Sequence, residues 1–130
     1  MPQQVRRESA TTAQTPAARA VLDSLRAAAA VQAALADALR DGALTVDRWR
    51  CLAHVADAPG SSMSDLVDAL LIAPATASRA VDALVDGGLL ARALDPLDRR
   101  RVVLHVTRDG SRQLAAVADG VGAVAHRHGL

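Results

Sequence analysis

The chain has 130 residues, enough for one domain with a real core and too few for two ordinary ones. Apolar residues make up 51% of it but aromatics only 1%, one Trp with no Phe or Tyr, so the core has to be Ala, Leu and Val, which suits closely packed helices. A net charge of +1 gives no global argument for nucleic acid, and one cysteine excludes an internal disulfide. With no apolar signal region at the N-terminus and no stretch approaching a membrane span, the sequence reads as a soluble cytoplasmic protein without a membrane partner.

Residues 1–14 are polar and patternless and read as a disordered tail, with Arg6 and Arg7 solvated. Thr15-Pro16 then opens a helix, a hydroxyl cap followed by proline where a missing N–H costs nothing. Val21, Leu22, Leu25, Ala28, Ala29, Gln32, Leu35, Ala36 and Leu39 recur at three- and four-residue steps, and the helix is expected to end near Asp41 with Gly42 at C′. Such a helix, spanning 15–42, is either core or an oligomer seam.

In "LTVDRW", Thr45 caps a second helix and Leu44 staples against Trp49. Trp49, Leu52, Ala53 and Ala56 form its inward stripe, and Pro59-Gly60 ends it. Ser62-Met63-Ser64-Asp65 fits a capping box for a short third helix carrying Leu66, Val67 and Leu70. A tight connection from Leu71 to Ala73 leads to Pro74 and a fourth helix, 74–87, with Ala77, Val81 and Leu84 inward and Gly87-Gly88 as its stop. Two short extended segments follow, 89–94 and 101–106, the second with Val102, Leu104 and Val106 on one face. A last helix begins after the cap Thr107 and carries Leu114, Val117, Val121, Val124 and His128; Gly120 and Gly122 weaken it by about 1 kcal/mol each.

Two short helices joined by a tight turn and followed at once by a hairpin with a basic tip make a winged helix-turn-helix. The second helix of such a pair offers its N-terminal residues to base edges in the major groove. The hairpin tip, the wing at 94–101, runs beside the backbone and can place an arginine in the minor groove. Charge agrees locally: residues 88–112 hold Arg92, Arg99, Arg100, Arg101, Arg108 and Arg112 against Asp95, Asp98 and Asp109. Residues 51–87 are acidic, with Arg79 against Asp57, Asp65, Asp68, Asp82 and Asp86.

From about Leu44 to Leu114 the segments "LTVDRWRCLAHVADAPG", "SDLVDALLIAPATASRAVDALVDGGLLAR" and "DPLDRRRVVLHVTRDG" resemble the MarR family of bacterial winged-helix transcription regulators. The most specific piece is the wing signature D-x-R, five residues, Leu-Thr, two residues, Gly, present as Asp98, Arg100, Val106-Thr107 and Gly110. The resemblance implies that Arg100 is the minor-groove arginine, that Asp98 orients the wing, and that Ala75, Thr76, Ser78 and Arg79 face the major groove. Arg99 and Arg101 are the further DNA contacts expected on the wing, Arg101 alternatively running along the strand as a phosphate clamp; Arg92 and Arg108 either touch phosphate or pair with Asp95 or Asp109. It also implies a homodimeric repressor on a near-palindromic double-stranded operator, with room for a small-molecule effector.

The fold expected is mainly α with a small β-hairpin: a winged helix-turn-helix, 43–107, between dimerisation helices at 15–42 and 108–130. Val21, Leu22, Leu25 and Leu35 of the first and Val117, Val121 and Val124 of the last are the candidate dimer contacts. Three departures from the family pattern stand out. Ala73 occupies the usual capping position, so the recognition helix lacks a side-chain cap. Leu71 replaces the common turn glycine, which predicts a turn without positive φ. The sequence also ends at Leu130 where the family carries a further long helix, so the chain reads as a short member.

Other groups take structural readings. Cys51 is expected as inert core rather than a redox switch, and His54 and His105 as structural. His126 and His128, two apart on a helix, face different sides and read as an exposed helix end rather than metal ligands. The hydroxyls of Ser61, Ser62 and Ser64 suit caps. No catalytic triad, phosphate loop or metal cluster is evident, so neither an enzyme nor a cofactor is expected. The acidic segment motivates a second reading, a winged helix used as an anti-repressor-like protein-interaction module with little DNA binding.

Overall fold

A computed structural model describes residues 15–42 and 44–130; the tail expected at 1–14 lies outside the described residues. The elements are α1 (Pro16–Ala38), α2 (Val46–Asp57), α3 (Met63–Leu70), α4 (Pro74–Asp86), β1 (Leu90–Leu94), β2 (Val102–Val106) and α5 (Arg108–Arg127). They divide into one unit up to Ala34 and a second over Leu35–Leu130. The first unit is the body of α1, opened as expected by Thr15, whose Oγ1 accepts the N–H of Ala18 at 3.2 Å. Its Val21, Leu22 and Leu25 are exposed.

The second unit holds the core: Leu35, Leu39, Leu44, Cys51, Leu52, Val55, Leu66, Ala80, Val81, Leu84, Leu89, Leu90 and Leu104. Each large aliphatic residue here contributes about 1.5–3 kcal/mol by leaving water. Helix α1 stops at Ala38, earlier than the periodicity suggests, because Leu39 turns into this core. The N–H of Gly42 bonds the Leu39 carbonyl at 3.1 Å, and Gly42 does not take the left-handed cap conformation expected of it.

Thr45 caps α2 by accepting the Arg48 N–H at 3.2 Å. The inward face of α2 differs from the expected stripe: Cys51, Leu52 and Val55 are buried, Trp49 and Ala53 are half-buried, and Ala56 is exposed. The helix is packed by α3, α4, α5 and β2. The larger Val55 then gains more from burial than an alanine would, which rotates the buried face.

The capping box of α3 forms as read: Ser62 Oγ accepts the Asp65 N–H at 3.1 Å, and Asp65 accepts the Ser62 N–H at 3.0 Å. Ser61 is not a cap of this helix; its buried hydroxyl donates back to the Ala58 carbonyl at 2.6 Å. After α3 the expectation for the turn fails. Leu71 takes the left-handed conformation, φ 55 and ψ 42, with its side chain 90% exposed. The tight turn demands positive φ there and the chain meets the demand without glycine. The Arg50 guanidinium ties α2 to this turn by donating to the Leu70 carbonyl at 2.6 Å.

Ala73 opens α4 with no side-chain cap, Pro74 supplying the first helical position. The helix buries Ala77, Ala80, Val81 and Leu84. Gly88, φ 75, then reverses the chain, and the Leu89 N–H returns to the Leu84 carbonyl at 2.8 Å. The strands pair antiparallel from Leu90 with Val106 to Leu94 with Val102. Ser61 adds a bridge to Leu104 from the segment before α3. Strand β2 does not show the expected single apolar face: Val103 and Leu104 are both buried, Val106 is half-buried and Val102 is exposed. Helices α2, α3 and α5 pack on this strand, whereas its Val102 end belongs to the outlying part of the hairpin.

Thr107 locks hairpin to helix. Its Oγ1 accepts the Gly110 N–H at 3.0 Å and donates to the Gly88 carbonyl at 2.6 Å. Gly110 is required sterically, since a Cβ would stand 2.2 Å from the Leu89 carbonyl oxygen and 2.8 Å from Val106 Cγ1. Along α5, Val124 is buried and Leu114, Val117 and Val121 pack against the core.

Candidate nucleic-acid interface

The solvent side of α4 is set by the burial of Ala77, Ala80, Val81 and Leu84 on its other side. Ala75, Ser78 and Arg79 are exposed on it and Thr76 is half-buried. Among the described residues Arg79 has no ion-pair partner. Beside it lies a cleft of about 310 Å³ lined by Thr45, Asp47, Arg48, Thr76, Arg79 and Ala80. Sequence reasoning placed Thr45 only as a cap and gave Arg48 no role at the site. The signal was available in the pairing of the two helices, which brings the first turn of α2 beside the first turns of α4.

The wing is a hydrogen-bonded loop. The Asp95 N–H bonds the Arg101 carbonyl and the Arg101 N–H bonds the Asp98 carbonyl, both at 2.9 Å. Asp95 Oδ1 also accepts the Leu97 N–H at 2.9 Å, an Asx-type turn that holds the tip. The expected brace is present: Asp98 Oδ1 accepts the Arg100 N–H at 3.1 Å and its Nε–H at 3.3 Å. The Arg100 side chain nevertheless stays 94% exposed, its remaining donors meeting no other group among the described residues. Arg99 is exposed and has no ion-pair partner among the described residues.

Arg101 and Arg92 differ. Arg101 bonds the carboxylate of Asp65 and lies 4.0 Å from that of Asp95, while Arg92 meets Asp82 at 2.5 Å. Two carboxylates that motivated the protein-interaction reading are therefore held by hairpin arginines, Arg92 of β1 and Arg101 at the wing's end. The Ser62 backbone N–H and hydroxyl hold the Asp65 carboxyl below the usual carboxylate range against an opposing desolvation, with a further lowering from the Arg101 guanidinium.

Of the candidate dimer contacts, Leu35 and Val124 are buried within this chain, and Val117 and Val121 pack on its core; Val21, Leu22 and Leu25 remain open. Cys51 is buried, and desolvation, aided by Asp47 and opposed by Arg50, pushes its thiol up to about 11. Among the described residues no three His, Cys, Asp or Glu gather as metal ligands, and no helix is long and apolar enough to cross a membrane.

A helix pair with a left-handed turn, an outward second helix and a braced arginine hairpin define a winged helix-turn-helix. Residues 44–101 match the model of the MarR family. CouR from Rhodococcus jostii RHA1, solved bound to p-coumaroyl-CoA, superimposes with a TM-score of 0.79 at 26% identity over 88% of this chain and 80% of that one. BpsR of Bordetella bronchiseptica, whose structure concerns regulation of its DNA binding by 6-hydroxynicotinic acid, gives 0.75 at 25% identity over 85% and 83%. The transcriptional regulator HosA of Escherichia coli O111:H- is 32% identical over 73 residues, 56% of this chain and 54% of HosA. Over residues 44–101, a little under half of the chain, the winged helix-turn-helix described here is similar to the MarR family. It spans about half the length of the curated relatives it matches.

Proposed function

We propose that this protein is a DNA-binding transcription regulator, a homodimeric repressor in the cytoplasm that recognises a near-palindromic operator. The observation that carries the reading is Arg100, oriented by Asp98 through two hydrogen bonds yet almost wholly exposed at a hairpin tip. A guanidinium so aimed fits the narrow, electronegative minor groove. Arg79, with Thr76, Ser78 and Ala75, addresses the major groove, and Arg99 reaches phosphate. Few hydrogen-bonding side chains face outward on α4, so DNA shape and the wing carry much of the specificity.

In this reading two copies pair through α1 and α5, with Val21, Leu22 and Leu25 in the seam, and set two recognition helices about 34–36 Å apart along one DNA face. A small-molecule effector acts on operator affinity, as the BpsR structure describes for 6-hydroxynicotinic acid. The test is selection of genomic DNA by the purified protein, followed by binding of the selected duplex to wild type and Arg100→Ala. Sequence-selective binding that depends on Arg100 supports the reading; binding indifferent to Arg100 removes it.

A further inference from the structure

The outer part of the hairpin has little apolar packing to hold it. Leu94 and Val102, the last ladder pair, are both exposed, as is the loop from Pro96 to Arg101. Beyond the buried base of the hairpin at Leu90 and Leu104, two ion pairs connect it to the recognition helices. Arg101, at the end of the loop, bonds Asp65 in the first turn of α3. Arg92, in β1, meets Asp82 of α4 at 2.5 Å. The Asp65 end is itself fixed, because its carboxylate accepts the Ser62 N–H at 3.0 Å in the capping box.

We propose that Asp65 and Asp82 are positioning residues for DNA recognition: through Arg101 and Arg92 they set the wing against α3 and α4, and so the place of Arg100 relative to the face of α4. The proposal rests on the DNA-binding function above. Exposed ion pairs contribute little to folding, but the choice here is among orientations of a hairpin whose tip is otherwise free. Two anchors on two different helices restrict a hinge more than either alone. The pairs also neutralise carboxylates that would otherwise repel phosphate. Arg92 and Arg101 are in this account brace residues rather than phosphate clamps.

Simple electrostatics and the proposal predict opposite signs, which makes the test decisive. Removing a carboxylate near DNA should tighten binding if only its charge matters. If Asp65 and Asp82 position the wing, Asp65→Asn and Asp82→Asn each weaken operator binding, by about tenfold, with thermal unfolding monitored to confirm that both fold. The exchanged pair Asp65→Arg with Arg101→Asp restores at least part of the affinity lost by Arg101→Asp alone. A phosphate-clamp role for Arg101 predicts no such rescue, and a drop of about one in the salt slope for Arg101→Gln.

Hydrogen exchange of wing amides in the free protein supplies a readout independent of DNA. Residues 95–101 exchange faster in Asp65→Asn and Asp82→Asn but not in Arg100→Ala. Unchanged exchange, or tighter binding by the two Asn variants, overturns the proposal. Faster exchange together with no Arg100-dependent binding by wild type would leave the brace standing and remove the DNA-binding function instead.

Discussion

Leu71 illustrates how a single backbone angle stores energy in this fold. A non-glycine residue at φ 55 carries a penalty of about 1–2 kcal/mol, and its exposed side chain recovers almost nothing by burial. Leu71→Gly should therefore stabilise the protein by about 1 kcal/mol in urea unfolding, part of the relief being offset by glycine's greater freedom in the unfolded chain. Gly110 shows the reverse constraint. Gly110→Ala must push against a backbone carbonyl and should cost about 3 kcal/mol or more, seen as a fall in urea midpoint. Cys51, its thiol raised to about 11, stays protonated at neutral pH and should react with a disulfide reagent only as fast as the protein opens. Because the unfolded chain would release that proton at lower pH than the folded one, stability declines as pH rises above about 8.5.

At the scale of elements, sequence legibility depended on whether local chemistry alone decides the outcome. The caps Thr15, Thr45, Ser62 and Thr107 all act as read, since each needs only a hydroxyl and a nearby helix N-terminus. The Asp98 brace was legible through the family pattern. The buried face of α2 was not, because Ala53, Val55 and Ala56 all satisfy helical spacing and only packing by four neighbours selects Val55. Nor was the pairing of Asp65 with Arg101, 36 residues apart, for which sequence carries no local mark. The capping box gives a pH prediction. Asp65 has its carboxyl lowered in the fold, so its contribution is present above the unfolded value of about 3.9 and is lost as pH falls through the folded one. Amides in the first turn of α3 should lose exchange protection in that acid range, and Asp65→Asn should abolish the dependence. For α1, Leu22→Asp with Leu25→Asp should shift the sedimenting species from dimer to monomer while leaving the helical circular dichroism signal of each chain.

For the whole molecule, the small net charge conceals an ordered distribution. Hairpin arginines hold Asp65 and Asp82, while among the described residues Arg79 and Arg99 have no ion-pair partner and Arg100 keeps spare donors on the faces assigned to the two grooves. Binding is thus assigned to a few charges in fixed places rather than to a basic surface, and affinity should fall steeply with salt because counterions are released from DNA. The central claim is that Arg100 is the minor-groove reader. The direct measurement is titration of wild type and Arg100→Ala against a selected operator duplex and a scrambled duplex over a salt series. The account predicts that Arg100→Ala loses about 1–3 kcal/mol on the operator, roughly 5- to 150-fold in Kd, and much of its preference over the scrambled sequence. Equal affinity and equal preference in the two proteins would contradict it.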